Sequence, residues 1–510
     1  MSASTNSRRR FLHQLLCTAT TVALAPALLH GQQALAGDPA IFARGLREYP
    51  WLAGWSSVTT ETMGPTMVTV EGKLPSELVG TLYRNGPAWT ERAGFRYEHW
   101  FDGDGMVHGW KLGHGTLVHQ ARMVDTPKFS REQKAGRFLY PAAGTAIPDA
   151  QPIRNNDEAN AANTSVVTIN GRLFALCEAG SAFELDPDQL TTMGAVTWRP
   201  DLASVPFSAH PLVDRDGSVW NFGAISLMGG SGLFVWHIGA DGKLISGDVL
   251  DTPVQGYLHS FAQTDDYLVF TLIPFAYREG SGAFFERLRF QPQQSLRVAV
   301  VPKNAPTSAR WYEADFAAIY HFGDAYQRNG EIVMRAVQHL DPEEARSPMQ
   351  SAMNGRADAH AGKGVLRELH LGLHDGKARW QDTGVAGIEF PLFDPRTGAD
   401  RGARLYAPCN VGQHTAPYFN AVGSFDVERN RRQVHDYGTS VLVEEHVFVP
   451  RPGSTRVGDG WLVGTLLDSA RGRSGIAVLD AEHVDAGPLA QAWLPHTVPL
   501  GFHGHFAART

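Results

Sequence analysis

The sequence predicts an all-β fold. Short runs of alternating apolar and polar residues recur along the chain, each broken by a turn signal such as Asn-Gly or Asp-Gly, and helical periodicity is rare and brief. Val166-Val167-Thr168-Ile169, then Asn170-Gly171, then Arg172-Leu173-Phe174-Ala175-Leu176 shows the unit: two strands about a tight turn. Others pivot on Asp216-Gly217, Asp241-Gly242, Asn329-Gly330 and Asp375-Gly376, dipeptides that supply the positive φ angles of a two-residue hairpin turn. The 53 glycines and 30 prolines are spread along the chain, as many short strands joined by turns require. Hairpins repeated over this length make a propeller, a sandwich or a barrel, and periodicity does not choose among them.

Taken in order, the first segment is an address. Ser7-Arg8-Arg9-Arg10-Phe11-Leu12 precedes an apolar run from Thr18 to Leu29, and Ala34-Leu35-Ala36 offers small residues for cleavage before Gly37. Paired arginines followed by Phe-Leu fit a twin-arginine signal. The apolar run of 12 residues is short of the ~20 that span a bilayer. Residues 1–36 are therefore expected to be a signal peptide, 37–510 a single domain, and the mature protein periplasmic. Cys17 falls in the signal, which leaves Cys177 and Cys409 as buried small hydrophobes or one bridge, not a disulfide framework. Ala283 to Phe290 is a candidate helix, with Ala283-Phe284-Phe285 read as a buried face or as the lip of an entrance. A net charge of −7 argues against nucleic-acid binding, which needs a positive field.

Most of the 21 histidines call for no special role, but three share a context. His210 stands six residues before Asp216-Gly217, His259 six before Asp265-Asp266, and His321 eight before Asn329-Gly330. Each opens a strand that runs into a hairpin. In a propeller the first strand of each blade lies nearest the axis, so histidines at equivalent ends would meet at one point and could share a metal ion. The plain alternative is that each histidine caps its own strand.

Several segments resemble the carotenoid cleavage oxygenase family. They are Gly80-Thr81-Leu82-Tyr83-Arg84-Asn85-Gly86-Pro87, His99-Trp100-Phe101-Asp102-Gly103-Asp104-Gly105-Met106-Val107-His108, Asn163-Thr164-Ser165-Val166, Phe448-Val449-Pro450-Arg451-Pro452 and Gly501-Phe502-His503-Gly504. The resemblance runs from about Val70 to Phe506. It implies a seven-bladed β-propeller capped by a dome of loops and helices, with Fe(2+) held by four histidines: His210, His259, His321 and His503, the last preferred over His505. It also implies glutamates behind the imidazoles, here Glu178, Glu389 and Glu445, with Glu444 as rival to Glu445. His446 stands where the family usually has proline. His99, His108, Asp102 and Asp104 are read as structural, with Phe-Asp-Gly-Asp-Gly as a tight turn closed by Asx hydrogen bonds.

The activity so implied is dioxygenase cleavage of a conjugated C=C bond by O2 into two carbonyl products. No protein acid or base is needed. The expected substrate is an apolar polyene, a carotenoid or apocarotenoid. The positions with which stilbene-cleaving relatives grip a phenol fall, without gaps, near His119 and Ala159, and neither side chain can do so. A stilbene or phenylpropenoid-type alkene, or a non-catalytic exported ligand-binding propeller, are the alternatives. A monomer is expected, with peripheral membrane contact where a lipid-soluble substrate is drawn.

Overall fold

The computed structural model describes residues 37–509, apart from 225–231, 279, 281, 358–362, 399, 413–415 and 417. The export segment read from residues 1–36 lies outside the described residues. Seven antiparallel sheets of four or five strands, the blades, are arranged as a propeller. Their inner strands, in blade order, are His503–Ala508, Ser165–Ile169, Leu212–Val213, Ala262–Gln263, Ala318–Arg328, Leu392–Phe393 and Val441–Pro450. Most of these inner strands pack on their neighbours around the axis.

The ring is closed twice. In blade 1 the innermost strand, His503–Ala508, comes from the far end of the sequence and pairs with Gly80–Trp89, Asn85 opposite His503 and Arg84 opposite Gly504. In blade 7 the outermost strand, Thr69–Gly72, comes from the near end and pairs with Pro488–Trp493.

Burial follows position in the blade. Val219–Ala224, second strand of blade 3, is buried at every residue because neighbouring blades cover both its faces. Ala378–Ala386, the outer strand of blade 5, shows a burial pattern that largely alternates, as an edge does with one face to solvent. The core therefore lies between blades, for example where Val298 and Val300 of blade 4 meet Ile332 and Met334 of blade 5.

The turns divide by their first residue. Asn170-Gly171 and Asn329-Gly330 both take positive φ at each position, as a two-residue hairpin requires. Asp216-Gly217, Asp241-Gly242 and Asp375-Gly376 do not: only the glycine is positive, at φ 82, 78 and 71. These sit in longer loops, in which the Asp carboxylate instead accepts a bond from the backbone two residues on, at Ser218, Lys243 and Lys377. The expected helix over Ala283 to Phe290 is cut to Phe284–Arg287, since Leu288–Phe290 pairs with Phe275–Tyr277 as a hairpin.

Above one end of the ring lies a dome containing the helices Pro39–Glu48 and Glu343–Met353. Arg96, fully buried, binds it together by donating to the carbonyls of Met353 (2.8 Å) and Trp55 (2.6 Å). Cys177 and Cys409 are both free. No helix among the described residues is long and apolar enough to cross a membrane.

Candidate metal centre

Four histidines from four blades meet on the axis beneath the dome. One ring nitrogen of each of His210, His259, His321 and His503 lies within 4.8 Å of those of the other three. Ring centroids are 4.6 Å apart for His210–His259 and His210–His503, 5.0 Å for His321–His503 and 5.2 Å for His259–His321. His503 opens its strand, and His210 and His259, expected to open theirs, stand just ahead of two-residue strands. His321 differs. Its strand begins at Ala318, and the register shifts between Ile319 and Phe322. That irregularity re-aims a mid-strand side chain, as bulges do.

Three of the rings are held from behind by carboxylates. His259 Nδ1 meets Glu178 Oε2 at 2.7 Å, His321 Nδ1 meets Glu389 Oε2 at 2.7 Å, and His503 Nδ1 meets Glu445 Oε1 at 3.0 Å. Each carboxylate has a further donor that the sequence did not disclose. Tyr257 Oη donates to Glu178 (2.9 Å), His339 Nε2 to Glu389 (2.5 Å), and Arg84 Nη1 to Glu445 (3.3 Å). Arg84 also reaches Glu444 (2.9 Å), whose other contact is the Gly501 amide (2.5 Å). Of the two adjacent glutamates, then, Glu445 touches the ring and Glu444 holds the loop leading to it.

These contacts fix protons. An Nδ1 facing a carboxylate carries hydrogen, which leaves the Nε2 lone pair of that ring for the centre. His321 Nε2 is buried and has no hydrogen-bond partner. The Nε2 atoms of His210 and His259 face each other at 3.0 Å. Burial, and after it the three neighbouring imidazoles, holds His210 well below its ordinary pKa, and burial lowers His321 to about 4. Burial alone would raise Glu389, but His321 and His339 outweigh it and hold the carboxyl well below its usual range. The result is four converging imidazole nitrogens, carboxylates behind three of the rings, and an orphaned buried nitrogen among them. That donor set fits a divalent first-row metal ion.

The centre opens on an apolar cavity of about 1040 Å³, its mouth included. His259, His321 and His503 form part of its wall, and Trp55, Trp100, Phe101, Phe390, Phe419 and Phe502 much of the remainder. Phe285 is on the wall as well, its ring 5.9 Å from Phe101, which places the Ala283-Phe284-Phe285 segment at this cavity. Glu389 is the only carboxylate on the wall among the described residues, and two imidazoles engage it.

Other positions singled out in the sequence lie elsewhere. His119 packs in blade 1 against Trp110 and His108, and Ala159 ends a short helix, Asn156–Ala159; neither lines the cavity. Their identities therefore carry no information on substrate, because an ungapped count does not follow the chain through the intervening loops. His505 turns to Thr168 Oγ1 (2.6 Å). His446 bonds the Glu444 carbonyl (2.8 Å) in space that a Cβ at Gly464 would fill. Asp102 and Asp104 are structural, but not through a local turn. Asp102 accepts from Gly144 N and Thr145 Oγ1, and Asp104 from Arg92 and Lys128.

A family model described as Retinal pigment epithelial membrane protein matches residues 55–508. Apocarotenoid-15,15'-oxygenase of Synechocystis sp. is 29% identical over 483 residues, covering 90% of this chain and 96% of the relative. Resveratrol cleavage oxygenase 1 of Aspergillus fumigatus is 28% identical over 466 residues, covering 86% and 91%. Isoeugenol monooxygenase of Pseudomonas putida is 24% identical, covering 90% and 98%. The structure of cobalt-substituted Synechocystis apocarotenoid oxygenase superposes with a TM-score of 0.81 at 26% identity, over 90% of this chain and 98% of that one. With the propeller, the histidine cluster and the match over nearly its whole length, the chain belongs to the retinal pigment epithelial membrane protein family of carotenoid cleavage oxygenases and is an enzyme of that dioxygenase type.

Proposed function

We propose that His210, His259, His321 and His503 hold one iron(II) ion and that the protein cleaves a conjugated C=C bond of an apolar polyene with O2, giving two carbonyl products. The observation that carries this reading is the cluster of four imidazole nitrogens at the floor of an apolar cavity. Bound iron supplies the activation of O2. The chain supplies the rest. Aromatic walls take a flat conjugated chain and hold its double bond beside the centre. The same walls exclude water, so a reactive alkene is not diverted. Glu178, Glu389 and Glu445 keep the Nδ1 protons in place and the rings oriented.

Phenolic stilbenes and phenylpropenoids form a second substrate class. Nothing at His119 or Ala159 argues against them, since those residues are remote from the cavity. Export by the twin-arginine segment to the periplasm, action as a single chain, and contact of the dome with a membrane complete the proposal.

The test is metal analysis of the purified protein together with O2 uptake and product analysis on a panel of apocarotenals and hydroxystilbenes. About one iron per chain and aldehyde products are expected. His503→Ala should lose both metal and turnover. Full turnover without metal, or a variant that keeps both, would overturn the assignment.

A further inference from the structure

Glu389 engages two imidazoles, and only one belongs to the central four. The other, His339, ends the second strand of blade 5, Glu331–His339, and lines the cavity with its ring 5.6 Å from that of Tyr320. It is 2% exposed. Its Nε2 is committed as donor to Glu389, which leaves Nδ1 as an acceptor. That Nδ1 is buried and has no partner. Gly364 packs closely beside the ring: a Cβ there would stand 2.4 Å from Val337 Cγ1, 2.6 Å from the Ile388 carbonyl oxygen and 3.4 Å from His339 Cε1. A buried acceptor left unmade costs stability that an apolar side chain of the same size would not.

We propose that His339 Nδ1 accepts a hydrogen bond from a hydroxyl group of the substrate. His339 is then a specificity-determining residue, and the preferred substrate is a hydroxylated conjugated alkene. This rests on the oxygenase reading above and adds a polar contact to it. In a wall that is otherwise mainly aromatic, one such contact fixes which end of a long apolar molecule goes in first. The hydroxyl can be an alcohol on the ring of a polyene or a phenol on a stilbene, and the experiment separates the two.

The measurement is kcat/KM for two matched pairs, an apocarotenal with and without a ring hydroxyl and a stilbene with and without a phenolic hydroxyl, on the wild type and on His339→Leu. The wild type should favour the hydroxylated member of one pair by about tenfold or more, and which pair it is names the source. In His339→Leu that preference should fall to about twofold or less. Any effect that His339 exerts through Glu389 lowers both members of a pair alike and cancels in the ratio. A wild type indifferent to the hydroxyl in both pairs overturns the proposal, as does a preference that survives His339→Leu. Should His339→Leu fail to fold, His339→Gln replaces it and the wild-type ratio still decides. If the iron-loaded wild type cleaves neither pair, the oxygenase reading fails on its own. Tryptophan-fluorescence titration of the same pairs then tests His339 separately, and equal affinity within each pair overturns its role.

Discussion

Glu445 and Glu444 are neighbours in sequence with different tasks, and their difference can be measured. Glu445 touches His503 Nδ1, whereas Glu444 touches Arg84 and the Gly501 amide. Glu445→Gln should weaken metal binding by about 10- to 100-fold while the protein stays folded, read by competition with a chelator. A second residue-scale expectation concerns acid. Burial lowers His108 to about 3, His119 to about 2 and His446 to about 4. Their folded pKa values lie below the unfolded value of about 6.5, so in that range the unfolded chain takes up protons that the native one refuses. Stability is therefore complete above about pH 6.5 and falls as pH drops toward about 4, by about 1.4 kcal/mol per pH unit for each such histidine. Urea denaturation at pH 7 and pH 5 should show the loss, and a His108→Gln/His119→Leu double variant should flatten it. The histidines and glutamates around the centre were legible because each lies in a recognisable local motif. Arg84, Tyr257 and His339 were not read as part of the site, because their role appears only through partners far away in sequence, as with Arg84 and Glu445.

At the scale of single elements, a hairpin turn and a strand make opposite demands on glycine. Gly171 has φ 73 and open space where a side chain would be, so Gly171→Ala carries only a backbone cost, about 1–2 kcal/mol. Gly105 has an ordinary backbone, but a Cβ there would collide with the Ala162 carbonyl. Gly105→Ala should accordingly cost about 3 kcal/mol or more, and thermal unfolding of the two variants ranks them. Strand pairs around Asn-Gly were legible because that dipeptide specifies both turn angles. Asp-Gly marked the right places but not the turn type, since the Asp carboxylate bonds its own loop instead. The helix at Phe284–Arg287 came out shorter than its periodicity because Leu288–Phe290 finds a partner strand, a contact that propensity does not contain.

For the whole molecule, the decisive feature is closure by strands from both ends of the sequence. Removing residues 503–509 should abolish metal binding and broaden thermal unfolding, because blade 1 loses its inner strand and the ring its seal. A truncated chain that still unfolds in one sharp transition would contradict this. The number of blades was not legible from the hairpins alone. Inner strands range from two residues, at Leu212–Val213, to eleven, at Ala318–Arg328, so no repeat length survives for the eye to count. The order of the strands also bears on biosynthesis. A nascent chain emerging from the ribosome presents His210, His259 and His321 long before His503, which arrives with the strand that locks the circle. A complete tetrad thus cannot exist until that last strand has been made, and whatever cation occupies it is enclosed only once His503 joins the other three.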